Sequence, residues 1–100
     1  MFIVQLTQDF QDWLDAIKDQ RVQLRIAARL RQAEAGNLGD WKPLGGDVSE
    51  MRVALGPGYR LYFTRRHNVL IIMLAGGDKS TQVRDINRVK RILKQLELPL

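Results

Sequence analysis

One hundred residues, 45% of them apolar and 27% charged, are expected to form one globular domain over residues 1–100 with a single modest core, and exclude a disordered chain. The absence of cysteine excludes a disulfide scaffold and cysteine-ligated zinc, and suits a cytoplasmic protein. The net charge of +5 is unevenly spread: residues 1–50 hold 6 Lys/Arg against 8 Asp/Glu, whereas residues 51–100 hold 10 against 3, so the second half suits a polyanionic or acidic partner.

Residues 2–6 alternate weakly and read as a first strand. They lack the basic region and small-residue cleavage site of a signal peptide, and no apolar run reaches the roughly 18–20 residues of a membrane span. Thr7 is placed to cap a helix carrying Phe10, Trp13, Leu14 and Ile17 at helical spacing, with Asp9 near the N-terminus where a carboxylate is favoured. A second helix is predicted over residues 19–35, burying Val22, Ile26, Leu30 and Ala33 and turning Arg21, Arg25 and Arg29 to solvent. Gly36-Asn37 stops it, because both residues tolerate the left-handed conformation of a helix terminus. Residues 36–46 read as loop by their Gly and Pro content, with Trp41 placed to pack on the sheet or on a partner.

Three strands are expected next, over residues 50–55, 59–64 and 69–75, joined by turn-like Gly56-Pro57-Gly58 and Arg65-Arg66-His67-Asn68. The last is a continuous apolar run, as in a central strand covered on both faces. Thr81 is placed to start a final helix that buries Ile86, Val89, Leu93 and Leu96, with Pro99 just beyond. The order β-α-α-β-β-β-α predicts an α+β fold, a small antiparallel sheet with its helices on one face.

Strand parity directs attention to one set of side chains. If the Gly56-Pro57-Gly58 turn sets Leu55 opposite Tyr59, then Arg52 faces Tyr62, Ala54 faces Arg60, and all four share the side away from the core. Lys79, just after the last strand, reaches the rim of the same surface. Such cations suit phosphodiester chemistry. When a 2′-OH attacks the neighbouring phosphorus, charge builds on the equatorial and leaving oxygens, and fixed guanidinium or ammonium groups stabilise it. Arginine matches phosphate bidentately. The ordinary reading of the same residues is a solvated sheet face, with the arginines paired to carboxylates such as Glu50.

Other chemistries find little. His67 is the single histidine and sits in a turn, which excludes a paired-histidine ribonuclease. No H-E-x-x-H, P-loop or dinucleotide fingerprint is present, and the carboxylates are scattered, so no metal or cofactor is expected.

The run G-N-L-G-D-W-K-P-L-G-G-D-V-S-E-M-R, then G-P-G-Y-R-L-Y-F, then L-A-G-G-D-K-S-T-Q followed by D-I, resembles the HigB-like branch of the RelE/ParE toxin superfamily, in particular its phage-derived addiction-module killer group. The resemblance spans essentially the whole chain. It implies a RelE-like fold and the toxin of a type II toxin–antitoxin pair, held by a helix-turn-helix antitoxin. Operator DNA would be bound only by the complex of the two. RelE-like relatives cut mRNA on the ribosome without a metal, leaving 2′,3′-cyclic phosphate ends. By the same resemblance Arg60, in the matched pair Tyr59-Arg60, is the phosphate-binding arginine and Arg52 and Lys79 are the flanking cations; Tyr62, Tyr59 and Arg84 are expected as substrate contacts around them. The chain departs from the RelE pattern at Asp85, where a tyrosine is usual, and at Glu50, where a lysine is usual. ParE-type members inhibit gyrase and cleave nothing, which leaves a second reading. A third is a silent toxin that serves as operon co-repressor with its antitoxin.

Overall fold

The computed structural model describes residues 1–97. In chain order these form β1 (Ile3–Leu6), α1 (Gln8–Asp15), α2 (Gln20–Glu34), β2 (Trp41–Gly45), β3 (Val48–Val53), β4 (Tyr59–Arg66), β5 (Leu70–Asp78), a short 3-10 turn (Lys79–Thr81) and α3 (Gln82–Glu97). The fold is α+β, as its pattern predicts, with three departures.

First, residues 36–46 are not all loop. Trp41–Gly45 is an edge strand paired antiparallel with β3. Its Pro43 is tolerated because an edge strand has one side with no ladder bond to lose. Gly45, Gly46 and Asp47, with φ of 96°, 59° and 64°, turn the chain back into β3.

Second, the sheet is mixed. Its five strands run in the order β1-β5-β4-β3-β2, with β2 to β5 an antiparallel meander and β1 parallel to β5. After Leu6 the chain enters α1, so β1 has no hairpin partner and joins at the free edge of β5. There Ile3 N donates to Val69 O at 2.7 Å and Thr7 N to Met73 O at 3.0 Å. Thr7 caps α1 as expected, its hydroxyl accepting from Phe10 N at 3.1 Å, and it also donates to Leu74 O at 2.7 Å, tying the helix start to the sheet.

Third, helices cover both faces. One core packs Val22, Ile26, Leu30 and Ala33 of α2 and Phe10 of α1 onto Met51, Val53, Leu61, Phe63, Ile71 and Met73. The other packs Val89, Ile92 and Leu93 of α3 onto Val48, Tyr62, Leu74 and Ala75. Ile92 takes the place expected of Leu96, which is 43% exposed past the end of the sheet contact. Pro99 lies outside the described residues.

Gly76 and Gly77 carry this double cover through β5. A Cβ on Gly76 would lie 2.2 Å from the Trp13 ring on one face, and a Cβ on Gly77 would lie 1.9 Å from Asp85 Oδ2 on the other. The β4–β5 connection is His67-Asn68-Val69, between the paired Arg66 and Leu70; His67 and Asn68 are left-handed, with φ of 56° and 60°, and Val69 N donates to Arg66 O at 3.3 Å.

Candidate functional site

The β3–β4 register sets the site. Val53 pairs with Tyr59, Arg52 with Arg60 and Glu50 with Tyr62. The strands are therefore two residues out from the expected pairing, because the turn between them spans residues 54–58 rather than Gly56-Pro57-Gly58 alone. A two-residue offset preserves parity, so Arg52, Arg60 and Tyr62 still share a face. That face is the one α3 covers, and its character differs from the expectation.

Arg60 is the centre. Its side chain is 14% exposed, and Nη1 donates to Glu50 Oε1 at 3.1 Å. Glu50 is fully buried. Lys42 Nζ, on the edge strand, lies 3.7 Å from the same oxygen, and Gln82 Nε2, in the first turn of α3, donates to Oε2 at 3.4 Å. A buried carboxylate is tolerable when its lone pairs are met this way. Arg52 and Arg60 stand directly opposite, an unfavourable pairing of like charges. Each has its own carboxylate to offset it: Arg52 Nε is 3.7 Å from Asp40 Oδ1, and Arg60 Nη1 is 3.1 Å from Glu50 Oε1.

Tyr62 is not an open stacking platform. It is fully buried beneath α3, and its hydroxyl has no partner among the described residues. Burial first, then the charges of Glu50 and Asp85, push its phenol up to about 12, so it stays protonated at neutral pH. Tyr59 does not reach the site either. It points to the opposite face, where its ring meets Trp13 edge-on at 6.2 Å. Lys79 sits at the Gly58 turn, its backbone N donating to Gly58 O at 2.9 Å and its side chain exposed. Arg84 is exposed on α3 and helps hold Asp78 below the usual carboxylate range, behind the larger effect of the hydrogen bonds from Ser80. Asp85 is 4% exposed and accepts from Thr81 Oγ1, so it is bound into the start of α3.

Sequence reasoning therefore locates Arg60 and Arg52 but misses Lys42 and Gln82, which come from a strand read as loop and from the buried side of α3. Glu50 was visible as a carboxylate beside the arginines. Arg29, expected in solvent, instead donates to the carbonyls of Arg52, Leu38 and Asp40 at 2.6, 3.0 and 3.3 Å and braces the end of β3. Desolvation there holds its pKa below the usual arginine value. Among the described residues no three His, Asp or Glu side chains converge to hold a metal ion, and no helix is long and apolar enough to cross a membrane.

No family model matches the chain. Over 95 residues it is 39% identical to a protein of Haemophilus influenzae that carries only the description "Uncharacterized protein", an alignment covering 95% of this chain and 96% of that one. The chain belongs to the same family as the Haemophilus influenzae protein.

Proposed function

We propose that this family member is the toxin of a type II toxin–antitoxin pair, with a RelE-like fold, and that it cuts mRNA on the ribosome without a metal. Its partners are a helix-turn-helix antitoxin and translated mRNA, and it contacts operator DNA only as the toxin–antitoxin complex, in the cytoplasm. The observation that carries this reading is the Arg60–Glu50 pair, a guanidinium from the basic half of the chain 3.1 Å from a buried carboxylate. A phosphodiester entering the face competes with Glu50 for Arg60. Its equatorial oxygens take over the guanidinium fork, and the displaced carboxylate becomes a base for the 2′-OH proton. The O2′–P bond forms, the P–O5′ bond breaks, and the leaving oxygen takes a proton from solvent. Arg60 stabilises the charge that develops in between, with Arg52 beside it. Lys42 and Gln82 turn aside to admit the substrate. Lys42 is already half exposed.

Arg60→Ala is expected to abolish growth arrest on induction while still co-purifying with the antitoxin, which reports a folded chain. A fully toxic Arg60→Ala protein sinks the reading. Primer extension on cellular mRNA is expected to show codon-positioned cuts.

One observation favours the non-enzymatic alternatives. Arg60 is already satisfied by Glu50, and Gln82 closes over the pair. A permanently closed pair suits a gyrase inhibitor of the ParE kind or a silent co-repressor. Intact mRNA with gyrase-linked DNA damage would mark the first, and no growth arrest from the lone protein the second.

A further inference from the structure

Helix α3 turns Asp85, Val89, Ile92 and Leu93 to the sheet. Among the side chains described, its outer side carries only positive charge. Arg84, Asn87, Arg91 and Lys94 follow one another at intervals of three or four residues, with Lys90 beside them and Lys79 at the head of the row. Apart from Asn87, each of these is an exposed cation. Among the described residues no carboxylate lies within 4.0 Å of Lys79, Lys90, Arg91 or Lys94 to form an ion pair. Arg88, on the flank, is tethered to Asp9 of α1 at 3.5 Å. Asp85 faces inward, so it neutralises none of the row.

From Arg84 to Lys94 the row is about 15 Å long, roughly the length over which one strand of a duplex carries four phosphates. A membrane-surface helix would need a broad apolar flank, and the exposed large apolar residues of α3 are Val83 and, thirteen positions away, Leu96, which form no such flank. The row is also joined to the site described above, since Gln82 in the first turn of the same helix reaches Glu50 at 3.4 Å.

We infer that the outer side of α3 is a docking surface for the phosphodiester backbone of structured RNA, which it holds while the Arg60–Glu50 site works beside it. The choice of RNA as occupant rests on the nuclease reading; the demand for a polyanion rests on the charge row alone. The surface reads charge and not sequence, because phosphate contacts position a nucleic acid without specifying bases.

The test is binding of a 2′-O-methyl RNA hairpin, whose blocked hydroxyl prevents cleavage, to the full chain by fluorescence anisotropy across a salt series. A Lys90→Gln/Arg91→Gln/Lys94→Gln variant is expected to bind at least about tenfold more weakly. The slope of log affinity against log salt should flatten by about two to three, as three lost phosphate contacts demand. These residues are exposed, so circular dichroism should show an unchanged fold. Arg21→Gln, which removes an exposed cation of α2 outside both the row and the site, should keep both affinity and slope. Equal affinity and slope for wild type and the triple variant overturn the inference. So does a triple variant that keeps RNA but loses its antitoxin, which would make the row a protein-docking surface. If Arg60→Ala still arrests growth while the triple variant loses RNA, the nuclease reading fails and the docking surface stands. If Arg60→Ala is inert while the triple variant binds RNA normally, the reverse holds.

Discussion

On the face covered by α1 and α2 the central strands present Met51, Val53, Leu61, Phe63, Ile71 and Met73, every one of them buried and apolar. On the face covered by α3 the same strands present Glu50, Arg60 and Tyr62 beside Leu74 and Ala75. The first face gains free energy from each residue it buries. The second spends some of that gain on a buried carboxylate, a guanidinium and a hydroxyl with no partner, groups that are costly to desolvate. A fold needs only the first kind of face. A second face that breaks the rule in one compact place is where chemistry is to be sought.

The comparison can be broken most directly by Phe63→Ala, in the apolar face. It should cost about 3–5 kcal/mol in urea unfolding, since Phe63 is fully buried and packed against Trp41 at 6.0 Å. A loss below about 1 kcal/mol would show that this face is not the main source of stability. The adjacent glycines give a sharper contrast. Gly76→Ala drives a methyl into the Trp13 ring, which is wedged between Phe10 and Tyr59, and should cost about 1–3 kcal/mol. Gly77→Ala meets the end of the Asp85 carboxylate, which can swing away from Thr81, so it should cost less. Equal losses in thermal unfolding would remove the distinction between a rigid and a yielding face.

The smallest effect concerns Tyr62. Its phenol is raised from 10.0 to about 12, so above pH 10 the unfolded chain gives up this proton before the folded protein does. Stability that is complete below pH 10 therefore falls as pH rises toward about 12. Tyr62→Phe should lack that share of the fall, and at neutral pH should differ from wild type by less than about 1 kcal/mol, because a hydroxyl without a partner contributes little. Identical alkaline profiles for the two proteins would show that the phenol is not buried as described.

Much of this architecture is legible in the residues. The spacing of Val22, Ile26, Leu30 and Ala33 places their helix and its buried side, and the alternation of Met51 and Val53 places β3 and the parity of Arg52 and Arg60. Less legible is anything that depends on what lies across space. Trp41–Gly45 looks like loop because Pro43 and its glycines are poor strand formers, and it becomes a strand because β3 offers it an open edge. Tyr62 looks like an outward side chain because alternation has no term for a helix arriving from twenty residues later.

The sequence by itself determined every helix and every strand except Trp41–Gly45, the periodicity of these elements, the polarised charge and the presence of two arginines on one side of a hairpin. These are local properties, set by backbone geometry over a few residues. Only the tertiary structure decided that α3 lies over that side, that Lys42 and Gln82 close on Glu50, and that Arg60 meets a buried carboxylate and not open water. Burial and pairing of charge depend on groups distant in the chain, and a one-dimensional pattern does not carry the distances between them.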